Sequence, residues 1–384
     1  MKTSFIFLLT VALILLSFNG PHNYKNSSIG ALPYHIDIDK GIKNVRSVPL
    51  STLGSQLEYI PLETDPACLL KSVSNAFVSD SFLYVSDGSR LLLFARNGKF
   101  IRQIGSAGKG PGEYSRIADF IVDKNSRAIY VLSSRMVLIY GFNGQFKRDF
   151  KIDYPCNQFI MNEKNNLIFH PFNLPIPTTE PVYSWYITDK SGVLLTKMIN
   201  SLKRVNRGFS VPTSPLYMFN GTPHFMEFGI DTLYYLDNLV KKPYAIFKLG
   251  NIKFKPDPTM EEVPGLKGKI FIYDVKENTK SLFIRIMDDS TTYCNFDKNS
   301  ATFSALKENG FFNDIDGGLT FWPKRILNDN TLIDYADAYK LIQYMDKNTQ
   351  TEVKVKDIKK ANQLKTIVKQ LDETSNPVLI ILRQ

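Results

Sequence analysis

The sequence predicts an all-β fold, a six-bladed β-propeller of four-stranded antiparallel blades with one C-terminal helix beside the ring closure. Three observations predict it: an internal duplication at a fixed offset, an outer hairpin turn that recurs about every fifty residues, and a strand-like composition. Its 27 Phe and 19 Tyr sit among short runs rich in Val, Ile and Thr, the residues that half-buried strands prefer.

The duplication aligns YVSDGSRLLLFARNGKFIRQI (Tyr84 to Ile104) with YVLSSRMVLIYGFNGQFKRDF (Tyr130 to Phe150), without gaps, at an offset of 46 residues. Seven of 21 positions are identical, where chance gives about one or two. Each copy reads as strand, polar turn, strand, Asn-Gly turn and strand, because Asn-Gly supplies the positive φ that a tight hairpin requires. One further apolar run precedes each copy, NAFVSD and DFIVDKN, which makes four short strands per unit.

Beyond Gly98 and Gly144, the outer turn is placed at Lys190-Ser191-Gly192, Lys241-Lys242, Asp297-Lys298-Asn299 and Asp346-Lys347-Asn348. Six such units close into a ring in which each blade packs only on its neighbours. LEYIPLE (Leu57 to Glu63) and NPVLIILRQ (Asn376 to Gln384) are strand-like runs at either end, and one or both are expected to complete the last blade. A helix at about 357–371, with Ile358, Ala361, Ile367, Val368 and Leu371 on one face and lysines off it, is expected to pack beside that seam.

The ends divide the remainder. Lys2 followed by the apolar run Phe5 to Phe18 has the length of a signal-peptide core and is short for a membrane span, which takes about 20 residues. Residues 1–20 are therefore expected to be a signal peptide, 21–47 a loosely held leader, and 48–384 a single propeller domain. No later segment is apolar and long enough to span a bilayer, so the mature chain is expected to be exported, to the periplasm or cell surface, and monomeric.

Charge and cysteines exclude several classes. Much of the net charge of +10 lies near the C-terminus, in VKVKDIKKANQLKTIVKQL, where no aromatic or arginine residues interleave with the lysines. That pattern fits a solvated helix face and not a nucleic-acid stripe. Cys68, Cys156 and Cys294 are odd in number and lack CxxC spacing, so neither a disulfide framework nor a zinc site follows, and buried thiols are expected.

The glycine-rich stretch IGSAGKGPGEY (Ile104 to Tyr114) has the look of a phosphate cradle, but lacks the Gly-x4-Gly-Lys-[Ser/Thr] order and the following helix that a P-loop needs. In the repeat it joins the outer strand of blade 1 to the inner strand of blade 2. Gly105, Gly108, Gly110, Pro111 and Gly112 are accordingly assigned to a blade-crossing turn.

This stretch resembles the crossing signature of NHL-type propellers. With YIPLET (Tyr59 to Thr64) and NDIDGGLTFWP (Asn313 to Pro323), the chain more closely resembles the exported six-bladed propeller family of Bacteroidota, over nearly all of its mature length. The resemblance implies fold and export. It departs in lacking the lipid-anchor cysteine that many members carry, and it implies no particular chemistry.

The densest polar cluster is NDIDGGLTFWP, on the same face as the glycine crossing. It fails as an EF-hand, since Gly318 and Arg325 fall where ligands are needed. Asn313, Asp314 and Asp316 are candidate hydrogen-bonding ligands and Trp322 a candidate flat surface for a sugar ring; the alternative is that they only form a turn. The same oxygens could also serve a divalent cation such as Ca²⁺, which no motif supports, and the cofactor is left unassigned. His170 and His224 are solitary and about a blade apart, and no nucleophile elbow or HExxH motif exists.

Two functions remain. The first is an exported binding module for a protein or glycan partner, without a catalytic motif. The second is a metal-dependent lactonase-like hydrolase or lyase with ligands drawn from several blades at the channel mouth.

Overall fold

The computed structural model describes residues 32–171, 183–200, 215–227, 230–254, 268–288, 290–328, 330–348 and 354–384. The chain begins with β1 (Tyr34–Asp37), the single-turn α1 (Ile38–Gly41), β2 (Val45–Arg46) and β3 (Gln56–Pro61). Blade 1 follows as β4 (Asn75–Val78), β5 (Phe82–Ser86), β6 (Leu91–Ala95) and β7 (Phe100–Ile104). The two-residue strands β8 (Ser106–Ala107) and β9 (Glu113–Tyr114) lie in the crossing to blade 2, which is β10 (Asp119–Asp123), β11 (Ala128–Ser133), β12 (Met136–Gly141) and β13 (Phe146–Lys151).

Blade 3 is β14 (Cys156–Met161), β15 (Leu167–Pro171), β16 (Tyr183–Thr188) and β17 (Leu194–Ile199). Blade 4 is β18 (Leu216–Phe219), β19 (Thr222–Met226), β20 (Thr232–Asp237) and β21 (Val240–Lys248). Blade 5 is β22 (Phe271–Glu277), β23 (Ser281–Met287), β24 (Thr291–Asp297) and β25 (Thr302–Leu306). Blade 6 starts with β26 (Arg325–Leu327) and β27 (Thr331–Ala336), passes through α2 (Ala338–Asn348) and α3 (Ile358–Val368), and returns as β28 (Val378–Arg383). The six-bladed, four-stranded architecture is the one expected from the repeat.

Closure is achieved by β3, which pairs antiparallel with β28 from Pro61↔Val378 to Gln56↔Arg383 and so supplies the outermost strand of blade 6. The two segments named from sequence are these two strands. The preceding chain is not loose: β1 adds parallel to β21 and β2 adds parallel to β25, as fifth strands of blades 4 and 5. The three strands start at positions 34, 45 and 56, so the N-terminal chain straps three consecutive blades at an even stride.

Alternation explains the core. In β5, Leu83 and Val85 join a cluster with Ile333, Leu379 and Ile381 of blade 6, while Tyr84 between them joins Ile129, Val131 and Leu138 of blade 2. The period of two sends successive side chains to opposite faces of the sheet, and each face meets a different neighbour. The same division holds in β11, where Tyr130 and Leu132 pack toward Phe159 and Phe169 of blade 3. Stability is thus distributed over blade-to-blade interfaces.

The duplicated blades also share an irregularity. The pairing of third and fourth strands shifts between Leu93 and Phe94 in blade 1 and between Ile139 and Tyr140 in blade 2, equivalent positions of the repeat. The residues passed over are Ile101 and Lys147, on the outer strands just beyond the Asn-Gly turns. Only the glycines, Gly98 (φ 85°) and Gly144 (φ 82°), have positive φ, and Gly98 N–H donates to the Ala95 carbonyl at 2.9 Å. This is a four-residue turn closed by a glycine bulge, in place of a two-residue hairpin.

Two turn assignments are corrected. In blade 4 the turn is Asn238-Leu239, at φ 48° and 67°, and Lys241-Lys242 lie inside β21. Asparagine adopts positive φ more readily than lysine, and Lys241 and Lys242 pair with Leu236 and Tyr235. In blade 6, Asp346-Lys347-Asn348 end helix α2; the outer hairpin expected there does not exist, because β3 supplies that strand from the other end of the chain. Helix α3 begins where expected, with the Asp357 carboxylate accepting the Lys360 N–H at 3.0 Å as an N-cap. Leu364 of α3 and Leu341 of α2 pack with Val378.

Candidate functional site

The innermost strands of all six blades line an axial cavity of about 1610 Å³. Its wall is polar because inner strands bury their alternate residues between blades and leave the others facing the axis. Asp119 of β10, on this wall, links four blades. Its carboxylate accepts from Asn75 Nδ2 of blade 1 at 2.7 Å and from the Phe159 N–H of blade 3 at 3.3 Å, and Arg325 of blade 6 lies 3.4 Å away. Burial pushes the Asp119 carboxyl above the usual range, against the pull of Arg325 and these hydrogen bonds.

A second cluster faces it from blade 5. Asp274 of β22 accepts from Arg285 Nε at 2.8 Å and pairs with Lys276 two residues on, on the same face of the strand. Burial, with Arg285 and Arg325 nearby, holds Lys276 below the usual lysine range although Asp274 pulls it upward.

The charges of the lining do not balance. The cations are Lys71, Arg116, Lys124, Lys276, Arg285, Lys324 and Arg325; the acids are Asp87, Asp119, Asp123, Glu163, Asp274 and Glu277. Three of these acids are already neutralised by cations behind the wall: Asp87 by Arg90, Asp123 by Lys190 and Glu277 by Lys298. Lys324 is likewise paired with Asp334, at 2.7 Å. Six cations therefore face three acids across the cavity. Two buried acceptors, Asn75 Oδ1 and Gln158 Oε1, have no protein hydrogen bond and belong to residues of the same wall.

The polar cluster read from sequence lies elsewhere. Asn313 Nδ2 donates to Asp316 Oδ1 at 2.7 Å, and Tyr59 Oη donates to the same oxygen at 3.1 Å. Asp314 turns the other way, accepting from the Ser51 N–H at 2.9 Å and pairing with Lys356 at 3.0 Å. Asn313, Asp314, Asp316 and Trp322 are all buried. Trp322 is no open platform: it is 5 % exposed and stands edge-on to Tyr293 and Phe283. The four residues form a joint between the blade 5 to blade 6 crossing, the N-terminal strap and the loop before α3, and none of them lines the axial cavity.

The glycine crossing is filled by its own chain. Gly105 and Gly112 have φ of 63° and 74°, and a Cβ at either would lie 2.7 Å from the Tyr140 or Phe146 ring. The Gly110 N–H points to the Glu113 carboxylate at 2.8 Å, so an internal anion occupies the place where a phosphate would be held. Gly108 and Pro111 lie in the same loop, between β8 and β9.

The histidines do not converge on the axis. His170 and His224 sit on β15 and β19, second strands of adjacent blades, and burial lowers both below the usual histidine range. Among the described residues no three His, Cys, Asp or Glu side chains are grouped as a metal site. Cys68, Cys156 and Cys294 are buried free thiols.

Sequence reasoning missed the axial wall. Asp119, Lys276 and Arg325 carry no motif; the available signal was that charged residues interrupt inner strands, as in DFIVD and FIYDVKE.

Comparison with known proteins agrees with the fold. Residues 33–383 match the family described as Domain of unknown function (DUF4934). A Bacteroides fragilis NCTC 9343 structure, named as a candidate exported protein, superposes with a TM-score of 0.65 at 18% identity, covering 91% of this chain and 99% of that one. The extracellular domain of a one-component system from B. thetaiotaomicron gives 0.41 at 13% identity, over 72% of this chain and 35% of the other. The Neurospora crassa Pan2 WD40 domain gives 0.38 at 10% identity, over 68% and 71%. The last two are too distant to bear on function. No curated protein matches the sequence.

Proposed function

The chain belongs to the DUF4934 family, and from its propeller fold and the charge of its axial cavity we propose that it is an exported binding module that takes an anionic group of a glycan into that cavity. The excess of cations over acids on the wall carries this reading. A cleft with low-dielectric walls focuses such a charge on an incoming ligand. Uncharged amides such as Asn125 and Asn328 stand on the same wall and suit the hydroxyls of a sugar beside its carboxylate or sulfate.

Export is supported by Lys2 and the apolar run Phe5 to Phe18, read as a signal peptide over 1–20, and by the name of the B. fragilis structure. No helix among the described residues is long and apolar enough to cross a membrane.

The test is calorimetric titration of the mature protein with a uronic-acid oligosaccharide, its neutral counterpart and a glutamate-rich peptide. Binding of the acidic sugar alone, weakening with added salt, supports the proposal. A response to the peptide alone transfers the role to a protein partner, and no response to either sinks the anionic-ligand reading.

A further inference from the structure

Taking the axial cavity to hold an acidic glycan, as proposed above, we infer that this glycan carries an apolar group directly beside its acidic one, seated in an apolar belt along the cavity wall. The belt follows from the inner strands. Asn75 and Phe77 of β4 stand two residues apart, as do Asp119 and Ile121 of β10 and Gln158 and Ile160 of β14. Residues two apart share one face of a strand, so each polar side chain has an apolar one about 7 Å further along.

The register sets these side chains at one level. Phe77, Ile160, Met218 and Ile326 each precede by one residue the last pair between the first and second strands of their blades. Ile121 joins them through the duplication, because it pairs with Tyr130 as Phe77 pairs with Tyr84. Blade 5 breaks the belt. At the same place in β22, one residue before Glu277↔Leu282, stands Lys276.

All five apolar side chains line the cavity and are only half-buried. Packing between blades does not use them up: Phe77, Ile121, Ile160 and Ile326 touch the apolar clusters at the blade interfaces, and Met218 belongs to none of the clusters among the described residues. A sugar with hydroxyls alone leaves this surface wet. An aryl or acyl group removes it from water, at about 25 cal/mol for each Å² buried. Charge then places the acidic group, since Lys276 lies at the level of the belt and Arg325 adjoins Ile326 in β26. A cation set among apolar side chains suits an anion joined to an apolar group.

The experiment titrates the mature protein at low salt with glucuronic acid, 4-methylumbelliferyl glucuronide and 4-methylumbelliferyl glucoside. The glucuronide should bind about tenfold more tightly than either of the others. Met218→Gln and Ile160→Gln should each narrow its advantage over glucuronic acid while leaving glucuronic acid bound as by wild type, with thermal melts verifying that both variants fold. Met218 lies outside the apolar clusters, so its replacement keeps the test open where Ile160→Gln unfolds the chain. Equal affinity for the two acids, or an equal loss for both in Met218→Gln, overturns the inference and leaves the acidic-glycan reading standing. Binding of neither acid removes both, and a glucoside bound as tightly as the glucuronide removes the anionic preference on which the inference rests.

Discussion

The Tyr59 hydroxyl donates to the Asp316 carboxylate at 3.1 Å across 257 residues of chain. Tyr59 belongs to the strand that closes the ring and Asp316 to the crossing that enters the last blade, so this bond fastens the seam from the side. Asp316 is held above the usual carboxylate range by burial, against hydrogen bonds from Gly318, Tyr59 and Asn313.

Tyr59→Phe should therefore destabilise the protein by roughly 0.5–1.5 kcal/mol, the net worth of one hydrogen bond, because Asn313 and Gly318 still donate to the same carboxylate. Urea denaturation read by fluorescence checks it. An unchanged midpoint would remove the seam role assigned to this bond.

Asp314 is displaced in the opposite direction. Burial raises it, but the Ser51 hydroxyl and amide and the Lys356 ammonium outweigh burial and leave it below its ordinary 3.8. A depressed native pKa favours the folded state above the unfolded pKa, and that benefit fades as pH falls through the native value. Asp314→Asn should accordingly be less stable than wild type at pH 7, with the gap shrinking below about pH 4. Thermal melts at pH 7 and pH 3 measure the difference.

Gly112→Ala should cost roughly 1–3 kcal/mol, since it combines positive φ with a close approach to Phe146. Gly110→Ala should cost less, because φ there is not positive and the near atoms belong to the end of the flexible Glu113 side chain. Equal losses at the two positions would contradict the geometry of the crossing.

The axial cations predict ligand behaviour. Arg325→Gln and Lys276→Gln should each weaken binding of an acidic oligosaccharide by about tenfold, the worth of one charge-assisted hydrogen bond. Both should also flatten the dependence on salt. Titration calorimetry at two ionic strengths reads both effects, and variants that bind as wild type would place the ligand outside the cavity.

Truncation separates the straps from the lock. A chain starting at 48 loses β1 and β2 and should fold with lower stability and exposed edges on blades 4 and 5. One starting at 62 loses β3, opens blade 6 and should not give a cooperative transition. Size-exclusion chromatography with thermal melts distinguishes the two.

The sequence alone determined what is local and periodic: four strands per unit, the glycine turns at 98 and 144, the crossing at 105–112 and the two closing runs. Such features rest on alternation and turn chemistry, which are written in neighbouring residues. Tertiary structure alone decided the rest. The straps β1 and β2 are too short to show a period, and α2 was hidden behind a turn-like DKN. The NDID segment became a buried joint because Ser51, Tyr59 and Lys356 reach it from distant parts of the chain. Asp119, Lys276, Arg285 and Arg325 face one cavity only because blades 2, 5 and 6 meet at the axis. A polar side chain is committed by its partners, and when those partners lie on other blades, only closure of the ring brings them within reach.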